Sequence, residues 1–513
     1  MSARLGTGFW LVAVISIMIV FFNLGGIPLL DPDEPVYAET PKEMFIFDEF
    51  VSPRIFGEYW YDKPPMYYWL VAGSYKLFGM NEFAARFPSA ILAVACTLLV
   101  YLSGRRLFNE RTGRLGALVL VTSIEFFYLG KAAVTDMTLL FFLSASLLCF
   151  IEKRYYIAYL CAGLATVTKG PIGLLFPGAI IFAYIITSRN WSLLKTMRIP
   201  SGLLLYSIAA LPWFVIMYQL HGSAFTDTFL GFHNVTRFTS PEHPEGVLWY
   251  YYIPVLIIGF FPWTGIMLQS VWASLTKSKQ DFSTLLFLNC WVIVIFVFFS
   301  ISQTKLVSYI LPLYPPLAMI VGWYIDRLWT ANHSRHFYSW GIPLGILAIL
   351  LTGGMLVGIK AMPVLQNGIY MTSAIFIIMV IVVSYFLWNR QVGKAFGTQI
   401  IAMVLFSMVL VSVMFPAAAP YLTTKNMAKE FVTQYDGNSP VYIIKFLRPG
   451  FTFYSGIYGA EIKTSKELPA FIVNSQRAYF VIRQAEYNLL ADSHRQMVTV
   501  LTIVDDKILL LKE

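Results

Sequence analysis

The amino-acid sequence predicts an all-α polytopic membrane protein that carries a small α/β domain at its C-terminal end. Of its 513 residues, 58% are hydrophobic and only 13% are charged, whereas soluble domains carry about 25% charged residues. Apolar windows of about 19 residues, the length that crosses a bilayer, recur from residue 9 to residue 415. Residues 417–513 instead mix short Val/Ile/Tyr-rich runs with polar segments, a pattern typical of a soluble α/β domain.

The apolar windows predict about thirteen transmembrane helices, and eleven is the alternative count. The predicted spans cover residues 9–27, 87–103, 115–131, 137–151, 155–169, 171–187, 200–220, 249–272, 284–301, 306–325, 339–360, 369–388 and 396–416. Tight turns are expected around Asp136, Gly170 and Lys305, where neighbouring spans follow each other closely.

Basic residues in the short loops predict the orientation. With a cytoplasmic N-terminus, the six inner loops contain fifteen Lys or Arg residues, and each short outer turn contains about one. Positive charge collects in cytoplasmic loops, so this orientation is favoured over its reverse. An odd number of spans then places the C-terminal tail outside the cytoplasm.

Three segments interrupt the apolar pattern and define the predicted domains. They are the outer loops 28–86 and 221–248 within a transmembrane domain of residues 1–416, and an extracytoplasmic α/β domain of residues 417–513. In that domain, residues 441–444, 478–482 and 498–503 read as strands, and residues 424–434 as a short amphipathic helix.

The formal net charge of +9 does not indicate a nucleic-acid partner. The excess falls in the loops, where the membrane topology explains it. Neither a Walker A loop nor a Rossmann glycine fingerprint is present, which argues against ATP or a nucleotide sugar as the direct substrate. The expected partners are the lipid bilayer and lipid molecules within it.

An acidic cluster opens the first outer loop, where Asp31, Asp33 and Glu34 lie within four residues. One reading is a solvated helix start, capped by Asp31 or Asp33 ahead of Pro35. The other is a functional site, because acids can remove a proton, bind a metal or stabilise positive charge. The residues alone leave both readings open.

Further along the same loop, Lys63 precedes Pro64 and Pro65 in an aromatic stretch, residues 59–69. The two prolines stiffen the backbone, and the aromatic side chains are typical of the membrane interface. Lys63 is therefore expected at headgroup depth. There it either extends toward lipid phosphates or binds a phosphate group of a substrate.

Other charged and polar side chains fall on the same predicted side of the membrane, namely Asp136, Lys169, His233, Arg237, Lys305 and Tyr309. Each one alone is typical of interfacial anchoring. A transporter would be expected to place such groups near the midplane instead. Their common side favours an enzyme site at the membrane surface.

The order of these motifs resembles the C-type (GT-C) polytopic glycosyltransferases. Within that superfamily the chain is most similar to bacterial lipid A 4-amino-4-deoxy-L-arabinose transferases and to dolichyl-phosphate-mannose-protein mannosyltransferase-like proteins. The resemblance rests on Asp33-Glu34-(x)2-Tyr37-Ala38-Glu39, Asp62-Lys63-Pro64-Pro65-(x)2-Tyr68-Trp69, Ala85-Arg86-Phe87-Pro88, Thr135-Asp136-Met137, Thr168-Lys169-Gly170-Pro171, His233-(x)3-Arg237-Phe238 and Lys305-Leu306-(x)2-Tyr309-Ile310-Leu311-Pro312.

The resemblance implies roles for twelve residues. Asp33 and Glu34 would be the catalytic acids, with Asp33 beside the anomeric carbon. The donor phosphate would be bound by Lys63, Arg237, Lys305 and Tyr309. Supporting residues, or residues that bind the sugar or the acceptor, would be Tyr37, Asp62, Arg86, Asp136, Lys169 and His233.

The implied function is transfer of a sugar from a polyprenyl-phosphate donor, such as an undecaprenyl-phosphate sugar, to an envelope acceptor such as lipid A. The reaction would take place on the outer face of the inner membrane. The alternatives are a protein O-glycosyltransferase that uses a lipid-linked sugar and a lipid or sugar transporter without chemistry. No cofactor is assigned. The family usually has Glu directly before Lys-Pro-Pro, and here that residue is Asp62. Whether a divalent metal bridges the loops of Asp62 and His233 therefore stays open.

Overall fold

The computed structural model describes residues 6–240, 248–276, 281–331 and 337–513, and most of them are helical. The first half of the chain forms α1 (Thr7–Phe21), α2 (Asp33–Ile46), β1 (Arg54–Ile55), β2 (Glu58–Tyr59), α3 (Met66–Phe78), α4 (Glu82–Leu107), α5 (Glu110–Val121), α6 (Ile124–Lys131), α7 (Asp136–Ile151), α8 (Tyr155–Lys169), α9 (Ile172–Ser188), α10 (Leu193–Thr196), α11 (Ile199–Thr226) and α12 (Arg237–Thr239). A π-helical stretch, Asp227–Thr236, joins α11 to α12.

The second half of the chain contains the remaining helices and a five-stranded sheet. Its elements are α13 (Tyr252–Gly259), α14 (Thr264–Thr276), α15 (Phe282–Ile301), α16 (Tyr314–Ala331), α17 (Ile342–Gly358), α18 (Gln366–Trp388), α19 (Val392–Val409), α20 (Phe415–Leu422), α21 (Lys425–Gln434), β3 (Val441–Ile444), α22 (Arg448–Ser455), β4 (Ala460–Ile462), α23 (Leu468–Asn474), β5 (Ala478–Arg483), α24 (Gln484–Asn488), α25 (Asp492–Arg495), β6 (Thr499–Val504) and β7 (Lys507–Lys512). A short 3₁₀ stretch, Val307–Leu313, leads into α16.

These elements form two compact units. Unit 1 comprises Met1–Asn23, Tyr61–Tyr67 and Pro88–Val413, and unit 2 comprises Leu24–Trp60, Tyr68–Phe87 and Met414–Glu513. The first predicted outer loop is thus grouped largely with the C-terminal tail. The predicted division of the chain after residue 416 stays a prediction.

Length and composition identify the membrane-spanning helices of the described residues. Seven are long and apolar enough to cross a bilayer, and nine if each of two bent helix pairs is one span. Three shorter apolar helices, α1, α7 and α9, have 15 to 17 residues. The polytopic class is confirmed, whereas the exact count of thirteen spans stays a prediction.

Two predicted spans are bent rather than straight. The span 115–131 is the pair α5 and α6, which meet at 66°, and the span 249–272 is the pair α13 and α14, which meet at 108°. At the first bend the hydroxyls of Thr122 and Ser123 donate to the carbonyls of Leu118 and Val119, and such bonds back to the preceding turn bend helices. Pro262 lies in the second break, and proline lacks an amide donor.

Helices α5 and α16 approach each other backbone to backbone through glycine. A Cβ atom on Gly322 would lie 2.4 Å from the amide nitrogen of Gly116, so a larger side chain would force the helices apart. Small residues allow this close packing in membranes, where van der Waals contact rather than hydrophobic burial drives association. The packing fixes α16, which follows the Tyr309 segment in the chain.

Glu125 lies within the predicted span 115–131, where a charged side chain needs a partner. The Tyr314 hydroxyl donates to its carboxylate at 2.5 Å, and both side chains are buried. A buried hydrogen bond therefore joins the helices of these two residues.

The sheet of unit 2 has the strand order β4-β3-β5-β7-β6. Strand β3 pairs in parallel with β4 and β5, and β7 is antiparallel to both β5 and β6. Its core includes Phe431, Ile443, Phe451, Phe480 and Leu510, all fully buried. The three predicted strands and the helix 424–434 are confirmed, and β4 and β7 are additional strands that the sequence analysis missed.

Burial perturbs two carboxyl groups of unit 2. Asp31 accepts hydrogen bonds within the unit, and Glu39 pairs with Lys42 at 3.0 Å. Burial raises the pKa of each group to about 7, against the opposing effect of these partners. Because the folded pKa exceeds the unfolded one, each group stabilises the fold fully below about pH 4 and loses that contribution as the pH rises through 7.

We expect the stability of unit 2 to fall as the pH rises from 5 to 8. Hydrogen exchange of its core amides, corrected for intrinsic rates, should show protection that weakens about tenfold or more, since one pKa unit corresponds to about 1.4 kcal/mol. The Glu39→Gln variant should show a shallower dependence. Protection that is constant or rises over this range would contradict the raised pKa values.

Candidate active site

A polar cavity of about 110 Å³ in unit 1 brings together six of the twelve predicted site residues. They come from five parts of the chain, and seven of the ten other lining residues are apolar. The lining comprises Asp62, Lys63, Asp136, Leu139, Lys169, Ile172, Phe229, His233, Phe238, Phe298, Phe299, Ser302, Thr304, Ser308, Tyr309 and Pro312.

One ion-paired cluster in the cavity is centred on Asp62. Its Oδ1 accepts a hydrogen bond from Lys63 Nζ at 2.7 Å and lies 2.7 Å from His233 Nδ1. Tyr61 packs its ring against His221 and Phe225, which hold the start of this loop against α11. The sequence predicted the loop and His233 separately, and the structure shows that they meet.

A second ion pair joins neighbouring helices. Asp136 starts α7 and Lys169 ends α8, and because the two helices are antiparallel neighbours, Lys169 Nζ donates to Asp136 Oδ1 at 2.8 Å. Lys169 also lies 5.0 Å from the ring centroid of Tyr309, a cation–π contact. Gly170 follows with φ +79°, and this left-handed conformation favours glycine in the turn after α8.

Backbone contacts fix the segment that precedes Lys305. The Gln303 amide donates to the Phe238 carbonyl and the Thr304 hydroxyl donates to the Ser240 carbonyl, both at 3.1 Å. Residues 303–304 are thereby held against the chain just after Arg237. The backbone of Arg237 begins α12, and its side chain lies outside what the structure describes.

Lys305 itself is 3% exposed. Among the described residues it forms no ion pair, and burial lowers its pKa. Burying a lysine away from a carboxylate is unfavourable, so an anionic ligand near this position would be stabilised. Its predicted role in binding the donor phosphate stays a prediction.

Glu34 and Arg86, both predicted site residues, bind each other within unit 2. Arg86 Nε and Nη2 donate to the two Glu34 oxygens at 2.8 and 2.6 Å. The same guanidinium donates to the carbonyls of Leu24, Ile27 and Pro28. This geometry favours a structural role for the pair, in which it fixes the chain that leads into the acidic cluster; their roles in chemistry stay predictions.

We expect Arg86→Lys to destabilise the protein. An ammonium has three donors on one nitrogen, so at least two of the five acceptors around Arg86 would lose a partner, at about 1–3 kcal/mol each. The apparent melting temperature of the detergent-solubilised protein should fall clearly. Arg105→Lys is the matched control, because Arg105 lies on the same helix, is about one-third exposed and has an ion pair only at 4.0 Å. Equal melting temperatures for the two variants would contradict the structural role.

Asp33 and Tyr37 lie on α2 in unit 2. Asp33 is exposed in the first turn of this helix, and the Tyr37 ring stacks on Tyr68 with centroids 6.1 Å apart. The predicted start of a helix in the acidic cluster is observed, although no side chain caps α2.

The cavity does not assemble a metal site from the described residues, among which no group of three or more His, Cys, Asp or Glu side chains is suitably placed. Asp62 and His233 would offer two donors, but Lys63 occupies the same carboxylate oxygen. The described residues of the cavity therefore do not form a metal site by themselves, and we derive no step through a metal.

Several lining residues were missed in the sequence. Ser302, Thr304 and Ser308 bring hydroxyl groups to the cavity, and their only signal was their proximity to Lys305 and Tyr309. Phe229 was missed as well. It lines the polar cavity and also an adjoining apolar groove of about 710 Å³ formed along α8, α9 and α11, with Leu174, Phe182 and Phe214 among its walls.

A polytopic helical fold with these motifs in this order, and a charged cavity between its helices, is the arrangement that the resemblance to C-type glycosyltransferases leads us to expect. Comparisons with known proteins agree. Residues 62–216 match the family described as dolichyl-phosphate-mannose-protein mannosyltransferase. The fold is similar to that of ArnT from Cupriavidus metallidurans bound to undecaprenyl phosphate, with a TM-score of 0.82, 23% identity and coverage of 99% of this chain and 98% of ArnT.

Two curated relatives show the extent of the sequence similarity. A protein of Aquifex aeolicus is 31% identical over 62% of this chain and 64% of its own length. The undecaprenyl phosphate-alpha-4-amino-4-deoxy-L-arabinose arabinosyl transferase of Edwardsiella ictaluri is 29% identical over 63% of this chain and 60% of its own length. The match thus spans less than two thirds of these relatives. The chain is thus similar to the aminoarabinose transferases in sequence and to ArnT in fold.

Proposed function

We propose that this protein transfers a sugar from a polyprenyl-phosphate donor to an envelope glycolipid such as lipid A. The observation that carries the proposal is the shared wall at Phe229 between a cavity with two lysines and a long apolar groove. A polyprenyl phosphate has the same division into an anionic head and an apolar tail. The similarity to transferases named for undecaprenyl-phosphate-linked aminoarabinose supports the same donor class.

The donor phosphate is bound, in this proposal, by Lys63 and Arg237 with help from Lys305 and Tyr309. Without a donor, the Lys63 ammonium donates a hydrogen bond to the Asp62 carboxylate. When Lys63 binds the phosphate instead, His233 remains beside the Asp62 carboxylate. The cations stabilise the negative charge that develops on the leaving phosphate. Arginine adds the ability to bind two phosphate oxygens at once.

Asp33 is assigned to the acceptor side of the reaction on the strength of the motif match. If the acceptor is a hydroxyl, Asp33 takes its proton. If the acceptor is a phosphate monoester, which is already ionised at neutral pH, Asp33 orients the acceptor or the sugar. A single displacement inverts the anomeric carbon in either case.

The acceptor is tested by supplying one donor to two acceptor pools. Purified protein in lipid, given undecaprenyl-phosphate-linked aminoarabinose with a radiolabelled sugar, should label lipid A and leave a membrane-protein fraction unlabelled. Label in protein alone would favour the mannosyltransferase-like alternative, which the family match over residues 62–216 brings forward. No transfer, with translocation of the lipid-linked sugar across the vesicle, would favour a transporter.

The same proposal places the site outside the cytoplasm, with a cytoplasmic N-terminus and an extracytoplasmic tail in the plasma (inner) membrane. A periplasm-active reporter such as alkaline phosphatase should be active when fused after Lys425 and inactive when fused after Arg111. A cytoplasm-active reporter at the same positions should show the opposite pattern. Reversal at either site would overturn the orientation or the odd number of spans.

A further inference from the structure

The chain just before the catalytic candidate Asp33 is tied to the C-terminal part of unit 2 through Asp31. Its Oδ1 accepts a hydrogen bond from the Gly450 amide and its Oδ2 accepts one from the Thr424 hydroxyl, both at 2.9 Å. The Asp31 amide donates to the Leu422 carbonyl at 2.8 Å. Three hydrogen bonds therefore fix a residue that lies two positions before Asp33.

Contacts on either side of Asp31 extend this attachment along the loop. The Leu29 amide donates to the Tyr454 hydroxyl at 2.8 Å, and Lys42 Nζ donates to the Phe453 carbonyl at 3.1 Å. Both acceptors belong to α22. The segment from residue 29 to residue 42, which includes Asp33, is thus held at its start and near its end by the same short helix.

Gly450 is required by this geometry. A Cβ atom at this position would lie 2.1 Å from Asp31 Oδ1 and 2.5 Å from Thr424 Oγ1, far inside van der Waals contact. The amide of Gly450 belongs to the first turn of α22, where N–H groups lack acceptors within the helix and donate to an anionic side chain. We call Asp31, Thr424 and Gly450 the Asp31 clasp.

The Asp31 carboxylate is partly buried, and removing it from water makes the clasp an energetically costly way to attach a loop. Among the described residues no cation is ion-paired with Asp31, and burial raises its pKa to about 7. An apolar contact of similar size would avoid the cost of desolvation. Directional hydrogen bonds, unlike apolar packing, fix the position and rotation of the backbone that carries them.

We propose that the C-terminal domain positions Asp33 through the Asp31 clasp, so that this domain is part of the catalytic apparatus. The inference rests on the proposed function, because it takes Asp33 as the residue that acts on the acceptor. Asp31 is then a positioning residue. The donor phosphate is bound by residues of unit 1, so the clasp affects turnover and leaves donor binding unchanged.

Two pairs of variants test the proposal. In Asp31→Asn the amide oxygen still accepts from Gly450, and the NH₂ group donates to Thr424 once that hydroxyl rotates. Asp31→Ala removes both bonds, Thr424→Ser keeps its hydroxyl and Thr424→Val removes it. We expect kcat to fall about ten- to hundred-fold in Asp31→Ala and severalfold in Thr424→Val. The KM for the donor should stay within about twofold, and both conservative variants should retain near-normal kcat.

Hydrogen exchange of the peptide covering residues 29–37, measured on the full chain in lipid nanodiscs, gives a readout that does not depend on activity. Exchange should rise in Asp31→Ala and Thr424→Val and stay at the wild-type level in the conservative partners. Unchanged kcat in Asp31→Ala, a rise in donor KM alone, or equal exchange in all variants would overturn the proposal. If the wild-type protein transfers no sugar, the proposed function fails, and so does the catalytic purpose of the clasp; the exchange data then still decide whether the clasp orders the loop.

Discussion

Asp33→Asn should abolish sugar transfer while the protein remains folded in the membrane at its normal level. The substitution preserves size and removes the charge of an exposed carboxylate in the first turn of α2, so the fold loses little. If Asp33 removes the acceptor proton, the expected loss is about 10²- to 10⁴-fold in kcat. The measurement is transfer of radiolabelled sugar to lipid A by purified protein at matched concentrations.

Asp48→Asn is the matched control for this variant. Asp48 belongs to the same loop, is exposed and has a φ of +50°, a left-handed conformation that asparagine adopts as readily as aspartate. It should keep full activity. Full activity in Asp33→Asn would remove Asp33 from the catalytic role, whereas equal losses in both variants would point to a general effect on the loop.

Lys63→Ala and Arg237→Ala should each reduce kcat/KM about ten- to hundred-fold, because each removes one charge-assisted hydrogen bond to the donor phosphate, worth about 1.5–3 kcal/mol. The two residues are predicted to share one anion. The double variant should therefore lose less than the product of the single losses, since residues that act on the same group are not independent. The measurement is a double-mutant cycle on transfer kinetics.

Lys360→Ala serves as the control for simple headgroup anchoring. Lys360 is an exposed lysine in a predicted outer turn, and exposed ion pairs contribute only about 0–1 kcal/mol. Its variant should stay within about twofold of wild type. Strictly multiplicative losses for Lys63 and Arg237, or losses no larger than that of Lys360→Ala, would contradict a shared phosphate.

The sequence predicted the elements with a strong hydrophobic period well, and it predicted the short elements less well. The long apolar helices, β3, β5, β6 and α21 were predicted because each carries its own run or period of apolar residues in the sequence. Strand β4 has three residues, too few to show a period. Strand β7 could have been found, because Asp505-Asp506 forms a two-residue turn between β6 and β7. Asp505 has a φ of +56°, and two-residue hairpin loops favour residues such as aspartate that tolerate a positive φ.

The candidate site, too, was only partly predictable from the sequence. The sequence predicts that the charged residues lie on one side of the membrane, which stays a prediction. It could not show which charges pair, because Asp62 and His233 are brought together by folding over some 170 residues. Nor could it show that Glu34 and Arg86 bind each other. Motif resemblance identifies residues that a family retains, and it does not separate a residue that contacts substrate from one that holds the chain in place.

The ion pairs of the cavity bear on how such a site stays available in a membrane crowded with anionic lipids. Phospholipid headgroups greatly outnumber a polyprenyl carrier. Two lysines without counterions would bind any anionic headgroup, whichever lipid carries it. Lys63 and Lys169 instead hold Asp62 and Asp136 as internal counterions, so an incoming phosphate has to compete with a carboxylate. Under the proposed function, the polyprenyl tail of the donor would supply the additional affinity that this competition requires. We therefore expect high concentrations of ordinary anionic phospholipid to inhibit the protein weakly, and to inhibit it more strongly once Asp62 or Asp136 is neutralised.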